Sequence, residues 1–192
     1  MKLYIGFDKR EKDAYAVAEY SARKFGLNPE PLYEERLRMH GMLYRPVDWR
    51  GQMYDLISGA PQSTEFATSR FWVPLLAHSG WAMFVDCDTM FMQDPKPYLK
   101  YLNKDKAVYC VKHSIDVVEG TKKMDNQIQT VYHRKLWSSV MIFNCDHPAN
   151  LRLNLMSLNG WPGRYLHAFN WLSDEEIGEL PPEFNWLVNL QT

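Results

Sequence analysis

The feature that most constrains this sequence is a run of five apolar residues, 81–85, that ends directly in Asp86, Cys87 and Asp88. A continuous apolar run of this kind predicts a strand that is buried on both faces of a sheet. If the extended backbone persists, side chains two positions apart point to the same side. Asp86 and Asp88 are then expected to converge at the carboxyl edge of the sheet, where ligands bind in open α/β sheets.

The rest of the chain alternates strand and helix patterns, which predicts an α/β protein with a mixed, mainly parallel central sheet flanked by helices. Buried strands are expected at residues 2–7, 107–111 and 139–143, and a further strand at 31–36. Helices are expected at residues 11–25, where Gly26 ends the helix, and at 64–78, 97–102 and 149–158, with Pro74 either kinking the second helix or starting a new turn. Residues 37–62 and 113–136 are expected to be mostly loop.

The composition indicates one globular domain. The chain has 192 residues, of which 46% are hydrophobic and 23% charged, and this is the range of folded domains. The chain has 22 Lys and Arg residues and 23 Asp and Glu residues. This balance argues against nonspecific electrostatic binding to nucleic acid or anionic lipid. The three cysteines follow no zinc or CxxC spacing, which is typical of buried thiols in a reducing compartment. We therefore predict a cytoplasmic protein without integral membrane association.

The two aspartates after the strand are candidate ligands of a metal ion. Paired carboxylates are hard oxygen ligands that suit Mg²⁺ or Mn²⁺ and leave coordination positions for water and phosphate oxygens. Such a cation neutralises a diphosphate and stabilises it as a leaving group. The structural alternative is a strand that ends in solvated or capping aspartates.

The segment Val85-Asp86-Cys87-Asp88, after its apolar strand, resembles the Asp-x-Asp motif of GT-A-fold glycosyltransferases. The resemblance is closest to family eight, which includes glycogenin and bacterial galactosyltransferases. Four further segments resemble that family in the same order along the chain: Ile5-Gly6-Phe7-Asp8, residues 66–74, residues 137–144, and Leu180-Pro181 with Phe184-Asn185.

The resemblance implies transfer of a sugar from a nucleoside-diphosphate sugar, with a UDP-sugar as the expected donor and Mn²⁺ or Mg²⁺ as the cofactor. It implies that Asp86 and Asp88 bind the metal ion. The implied nucleotide-sugar-binding residues are Phe7, Asp8, Arg10, Arg70, Asp86, Cys87, Asp88, Ser138 and Ser139. One GT-A-like catalytic domain would span residues 1–192, with a nucleotide-binding part at about 1–112 and a sugar- and acceptor-side part at about 113–192.

Asp174 and Glu175 stand where the family has an Asp-Gln pair near the reacting sugar. A carboxylate there orients sugar hydroxyls, or takes the acceptor's proton if the reaction inverts configuration, so the resemblance makes both residues catalytic candidates. On residue types alone, Ser173 or Asp174 caps a short helix that has acidic residues in its first turn, which is a common structural pattern.

The chain departs from the family in two places that affect the site. The family's Asn-Ser-Gly is Trp137-Ser138-Ser139, and the family's late metal-binding histidine has no counterpart after Asn185. Either the two aspartates and water hold the ion, or His113 or His167 substitutes. The acceptor is unknown, and its site is expected to be open, formed by the tryptophan-rich end of the chain, or supplied by a partner subunit or a second copy.

Two other functions compete with glycosyl transfer. Aspartyl phosphatases of the haloacid-dehalogenase type also place Asp-x-Asp after an apolar strand, but normally on the first strand, whereas 85 residues precede Asp86. A catalytically weak sugar-nucleotide-binding pseudoenzyme agrees with the absence of the late histidine.

Overall fold

A computed structural model describes residues 1–114 and 134–188. The strands in this part of the chain are β1 (Lys2–Gly6), β2 (Pro29–Leu32), β3 (Val47–Trp49), β4 (Met53–Asp55), β5 (Ala60–Pro61), β6 (Trp81–Val85), β7 (Val108–Cys110), β8 (Val140–Asn144) and β9 (Ile177–Glu179). The α-helices are α1 (Lys12–Lys24), α2 (Glu34–Met39), α3 (Val73–Ala77), α4 (Leu155–Gly160) and α5 (Gly163–His167). Short 3-10 helices lie at Lys9–Glu11, Ser69–Trp72, Lys96–Tyr101, Pro148–Arg152, Asp174–Glu176 and Pro182–Asn185.

Six strands form the central sheet in the order β2-β1-β6-β8-β7-β9. Strand β1 pairs in parallel with β2 and β6, β8 is antiparallel to both β6 and β7, and β9 is parallel to β7. Five strands therefore share one direction and only β8 opposes them. The predicted α/β fold with a mixed, mainly parallel sheet is confirmed, in a single domain.

The core of the molecule follows the apolar runs of the sequence. All five residues of β8 are buried, as are the last four of β6, because these two strands pair at the middle of the sheet and are covered on both faces. The three cysteines are free and buried, as expected. Within the residues that the structure describes, no helix is long and apolar enough to cross a membrane.

The structure differs from the sequence prediction where strands are short or helices are irregular. Residues 31–36 do not form one strand, because β2 ends at Leu32 and α2 begins at Glu34. The stretch 37–62, predicted as loop, contains the small antiparallel sheet β3-β4-β5. The helix expected at 64–78 is a 3-10 turn followed by α3, with Pro74 in the first turn of α3, where a missing N–H group costs no hydrogen bond.

Gly6 permits the close packing that brings the next functional segment onto the sheet. A Cβ atom at this position would lie 2.5 Å from the ring of Phe66, so only glycine allows Phe66 to rest on the end of β1. Phe66 is 1% exposed and belongs to the segment that carries Arg70 towards β6.

Candidate donor-binding cavity

A cavity of about 280 Å³ opens beside the end of β6. Its lining comes from five parts of the chain: residues 58–63, the segment of Ala67, Thr68 and Arg70, the motif residue Asp86, the start of β8 with Lys135, Leu136, Ser138 and Ser139, and α5 with Gly163, Arg164 and His167. Because β8 is antiparallel to β6, its first residues lie beside the last residues of β6. The cavity therefore occupies the sheet edge where ligands bind in open α/β sheets.

A buried ion pair between Arg70 and Asp86 forms one wall of the cavity. Nη1 of Arg70 lies 2.9 Å from Oδ1 of Asp86 and donates a hydrogen bond to the carbonyl oxygen of Ser138 at 2.8 Å. Arg70 is 5% exposed and Asp86 is 7% exposed. The guanidinium carbon also lies 5.2 Å and 5.1 Å from the ring centres of Phe66 and Phe84, so Arg70 is held on several sides.

The start of β8 is tied both to the motif and to α5. The backbone N–H of Asp86 donates to the carbonyl of Ser139 at 2.9 Å. The hydroxyl of Ser138 lies 2.7 Å from Nδ1 of His167, in hydrogen-bond contact. The ring of His167 packs edge-on against Phe71 at 5.1 Å between centres. These contacts place two hydroxyl groups and an imidazole around the same space, where they are suited to bind polar hydroxyl groups of a ligand.

The opposite wall, residues 58–63, is fixed to α5 by a buried ion pair. Arg45 and Asp55 are 1% and 0% exposed and form a salt bridge. Arg45 also donates to the carbonyl oxygens of Leu158 and Trp161 at 3.0 and 2.8 Å. The hydroxyl of Ser58 donates to Asp55 and accepts the N–H of Gly163 at 2.7 Å, which joins this wall to the start of α5.

Phe7, Asp8 and Arg10, predicted nucleotide-binding residues, do not line the cavity. Asp8 is fully buried and accepts hydrogen bonds from the Arg10 side chain at 3.0 and 2.6 Å and from the backbone N–H of Glu65 at 3.0 Å. Burial raises the pKa of the Asp8 carboxyl, but these hydrogen bonds outweigh burial and lower the pKa below its ordinary value. Arg10 also donates to the carbonyl of Ser63 at 2.8 Å. The Asp8–Arg10 pair thus positions a segment that lines the cavity.

The motif residues do not converge as the sequence predicts. Strand β6 ends at Val85, and the chain turns at Cys87 and Asp88, where the N–H of Thr89 donates to the carbonyl of Asp86 at 3.3 Å. The extended geometry that would align Asp86 with Asp88 is therefore lost. Asp86 lines the cavity, whereas Asp88 is exposed and is not part of the lining.

Cys87 points into the protein interior. Its side chain is fully buried and donates to the carboxylate of Glu11 at 2.8 Å. Burial, together with that carboxylate, raises the pKa of the Cys87 thiol. Cys87 is not among the residues that line the cavity, and its predicted contact with a nucleotide sugar stays a prediction.

Asp174 and Glu175, the predicted catalytic residues, lie outside the cavity lining. Both precede β9 and are exposed, at the edge of the sheet where the parallel strands begin. The carboxylate of Asp174 is ion-paired with Arg134, and Ser173 and Glu176 form a reciprocal helix cap. The capping pattern expected from residue types alone is thus present, and the catalytic role of Asp174 and Glu175 stays a prediction.

The two histidines proposed as substitute metal ligands occupy different surroundings. Nε2 of His113 lies 2.9 Å from Nδ2 of Asn185, and burial lowers the pKa of its imidazole. His167 contacts Ser138 in the cavity. Within residues 1–114 and 134–188, no group of three His, Cys, Asp or Glu side chains is arranged to hold a metal ion.

Residues that sequence reasoning did not assign to the site also line the cavity. Lys135 belongs to no recognised motif. It lies just before the predicted serines, and this position could have marked it as a site residue. Arg164 lies on α5, a helix that the sequence analysis did not predict. Most of residues 58–63 fall in the stretch 37–62 that was predicted to be mostly loop, because strands as short as β5 leave no periodic pattern.

Comparison with known proteins supports the fold and identifies a relative. The structure matches the bifunctional glycosyltransferase WbbM with a TM-score of 0.57 at 15% identity, covering 95% of this chain and 39% of that one. It matches the glycosyltransferase GlyE of Streptococcus pneumoniae TIGR4 with a TM-score of 0.52 at 11% identity, covering 96% of this chain and 46% of that one. The chain thus spans less than half of either solved protein, and the likeness confirms the GT-A-type fold.

No protein-family model matches the sequence. Protein CDI of Arabidopsis thaliana is 40% identical over 190 residues, a match that covers 97% of this chain and 69% of that protein. This degree of identity over most of both sequences shows that the chain belongs to the same family as Protein CDI.

Proposed function

We propose that this protein is a glycosyltransferase that binds a nucleoside-diphosphate sugar in the cavity beside β6 and transfers the sugar to an acceptor. The observation that carries the proposal is the meeting of Arg70, Asp86, Ser138 and Ser139 in one cavity, since all four were predicted as donor-binding residues from separate segments of the sequence. The fold shared with WbbM and GlyE supports the same class of reaction. A UDP-sugar is the proposed donor.

In this reaction the bond between the anomeric carbon of the sugar and the diphosphate oxygen breaks, and its electron pair stays on the diphosphate. The acceptor hydroxyl oxygen forms the new bond to that carbon and releases its proton to the leaving diphosphate or to water. Negative charge grows on the leaving diphosphate, so fixed positive groups around it lower the barrier. Arg70 is such a group, because its guanidinium is held by Asp86 and by the carbonyl of Ser138 before any ligand binds. The hydroxyls of Ser138 and Ser139 and the imidazole of His167 are placed to orient sugar hydroxyls.

The cation that the resemblance implies, Mn²⁺ or Mg²⁺, fits the observed donor set poorly. The carboxylate of Asp86 is paired with Arg70, Asp88 lies outside the cavity lining, and Cys87 points into the core. A hard divalent ion needs several oxygen ligands at one point. A metal ion at residues 86–88 stays a prediction, and no step of the proposed reaction depends on it.

The proposed function is tested by measuring the binding of UDP, ADP, GDP and their sugar derivatives through the shift in thermal unfolding, followed by chromatography of the released nucleotide. We expect one class of nucleoside diphosphate to stabilise the protein and its sugar derivative to be turned over. Asp86→Asn is expected to weaken both effects, because Arg70 loses the carboxylate that holds its guanidinium in place, whereas Asp105→Asn, which changes an exposed aspartate elsewhere, is expected to retain them.

Other results would assign a different activity. Stabilisation by a nucleotide sugar without release of nucleoside diphosphate, in the presence of a range of sugar acceptors and of water, would identify a binding protein without transferase activity. Release of phosphate from a phosphomonoester would identify a phosphatase. If none of the nucleotides stabilised the protein, the cavity would be rejected as a donor site.

A further inference from the structure

We infer that the cavity binds the diphosphate of its ligand through Lys135 and Arg164, without a divalent cation. This inference rests on the proposed function, since it concerns how the same cavity neutralises the charge of the donor. It departs from the expectation of a metal ion at residues 86–88.

The charges that line the cavity favour an anion. Among the lining residues in the described part of the chain, Arg70, Lys135 and Arg164 are cationic and Asp86 is the one carboxylate. That carboxylate is already paired with Arg70 at 2.9 Å, so it is not placed to hold a divalent cation on its own. A second carboxylate facing the same space would be needed to make the cavity attractive to a divalent cation instead.

Lys135 and Arg164 approach the cavity from two separate elements. Lys135 precedes β8 and is half-buried, and Arg164 lies in the first turn of α5 with an exposed side chain. Within the described part of the chain, Arg164 makes no hydrogen bond or ion pair through its side chain. A guanidinium and an ammonium on two sides of one cavity match the several oxygen atoms of a diphosphate, which the guanidinium binds in bidentate fashion.

The same two side chains would assist the chemical step. As the bond from the anomeric carbon to the diphosphate oxygen breaks, its electron pair stays on that oxygen. The positive charges of Lys135 and Arg164 stabilise the developing anion in the way a metal ion does in other enzymes. No proton or electron has to be supplied by another reagent for this stabilisation.

Hydrogen bonds hold the two segments that carry these residues. The N–H of Gly163, the residue before Arg164, donates to Ser58 at 2.7 Å, and Ser58 belongs to the network of Arg45 and Asp55. On the other side, Ser138 bonds with His167 at 2.7 Å. These contacts hold the backbone of α5 and of the segment before β8, which carry the two cationic side chains, before the ligand arrives.

Isothermal titration with the nucleoside diphosphate that stabilises the protein most, in buffer with EDTA and in buffer with Mn²⁺, tests the inference. We expect the dissociation constant to differ by less than about threefold between the two buffers. Lys135→Ala and Arg164→Ala are each expected to weaken binding about tenfold in EDTA, because each removes a charge-assisted contact. Arg164→Lys is expected to recover part of the loss, and Lys24→Ala, an exposed lysine on α1, is expected to bind like the wild type.

The outcomes separate this inference from the function on which it rests. Binding that disappears in EDTA and returns with Mn²⁺ would overturn the inference and leave the donor site intact. Unchanged affinity in both alanine variants would also overturn it. Absence of binding in both buffers would reject the donor site itself, and the inference with it. The thermal unfolding midpoint of each variant confirms that it folds, which is expected because neither side chain is in the core.

Discussion

The guanidinium of Arg70 lies 2.9 Å from the carboxylate of Asp86, and both side chains are less than 10% exposed. This pair joins the segment packed on Gly6 to the end of the central strand β6. Because Arg70 also donates to the carbonyl of Ser138, the pair fixes three walls of the cavity relative to one another. Stability and ligand binding are therefore expected to depend on the same contact.

Removing one member of the pair leaves the other charge buried. We expect Arg70→Met to lower the free energy of unfolding by about 3 kcal/mol, because an uncompensated buried carboxylate is costly. The double variant Arg70→Met with Asp86→Asn is expected to regain part of this loss. Urea unfolding of the two single variants and the double variant measures the coupling, and strictly additive losses would show that the pair contributes no interaction to stability.

The glycine at the end of β1 gives a second prediction with a matched control. A methyl group at Gly6 would meet the Phe66 ring at 2.5 Å, so we expect Gly6→Ala to lower the free energy of unfolding by about 1–3 kcal/mol. It is also expected to weaken donor binding, because Phe66 precedes Arg70. Gly160→Ala is expected to be neutral or slightly stabilising, since a Cβ atom there meets nothing within 4 Å in a helical position. Thermal unfolding compares the two, and equal stability of both variants would contradict the close packing at Gly6.

The buried carboxylate of Asp8 predicts a pH dependence with a definite sign. Hydrogen bonds from Arg10 and Glu65 outweigh burial and lower the pKa below its ordinary value of 3.8. A carboxyl whose pKa is lower in the folded state stabilises the protein above its unfolded pKa, and this stabilisation is lost as pH falls through the folded pKa. The wild type is therefore expected to be more stable than Asp8→Asn at about pH 6, and the difference is expected to shrink on acidification below about pH 4.

Urea unfolding over this pH range measures the difference at each pH. Asp105→Asn, which changes an exposed aspartate, serves as the control and is expected to show little pH-dependent difference from the wild type. A wild-type advantage over Asp8→Asn that stays constant down to pH 2 would contradict the lowered pKa.

The sequence predicts a catalytic role for Asp174, whereas the structure places this residue outside the cavity lining. Its carboxylate is exposed and paired with Arg134, outside the cavity lining. We expect Asp174→Ala to change donor affinity by less than about twofold, whereas Asp86→Asn, which leaves Arg70 without its partner, is expected to weaken binding by more than that. Steady-state turnover of the donor in the same variants reports any catalytic role, and a selective loss of turnover in Asp174→Ala would confirm the catalytic role predicted from the sequence.

The sequence predicted the parts of the fold that depend on long apolar runs. Strands β6 and β8 are continuous apolar segments, and their pairing at the centre of the sheet follows from burial on both faces. Strands β5 and β9 have two and three residues, too few for a periodic pattern, and neither was predicted. The same limit applied to the helix before α3, which is a 3-10 turn rather than a regular helix.

Some features of the candidate site were predicted from the sequence and others were not. Arg70, Asp86, Ser138 and Ser139 were predicted together because each belongs to a motif attached to a recognisable strand or helix. The divergence of Asp86 and Asp88 was not predicted, since it depends on a turn that forms directly after β6. Arg164 was missed because α5 lies beside the cavity through a contact between Gly163 and Ser58, residues far apart in sequence.

The most direct test of the account is a crystal structure of the protein with its preferred nucleoside diphosphate bound. We expect phosphate density in the cavity beside β6, within hydrogen-bond distance of the side chains of Lys135 and Arg164. Phosphate density at another surface, such as the pocket of Trp81, Lys104 and His147 at the opposite edge of the sheet, would contradict this prediction.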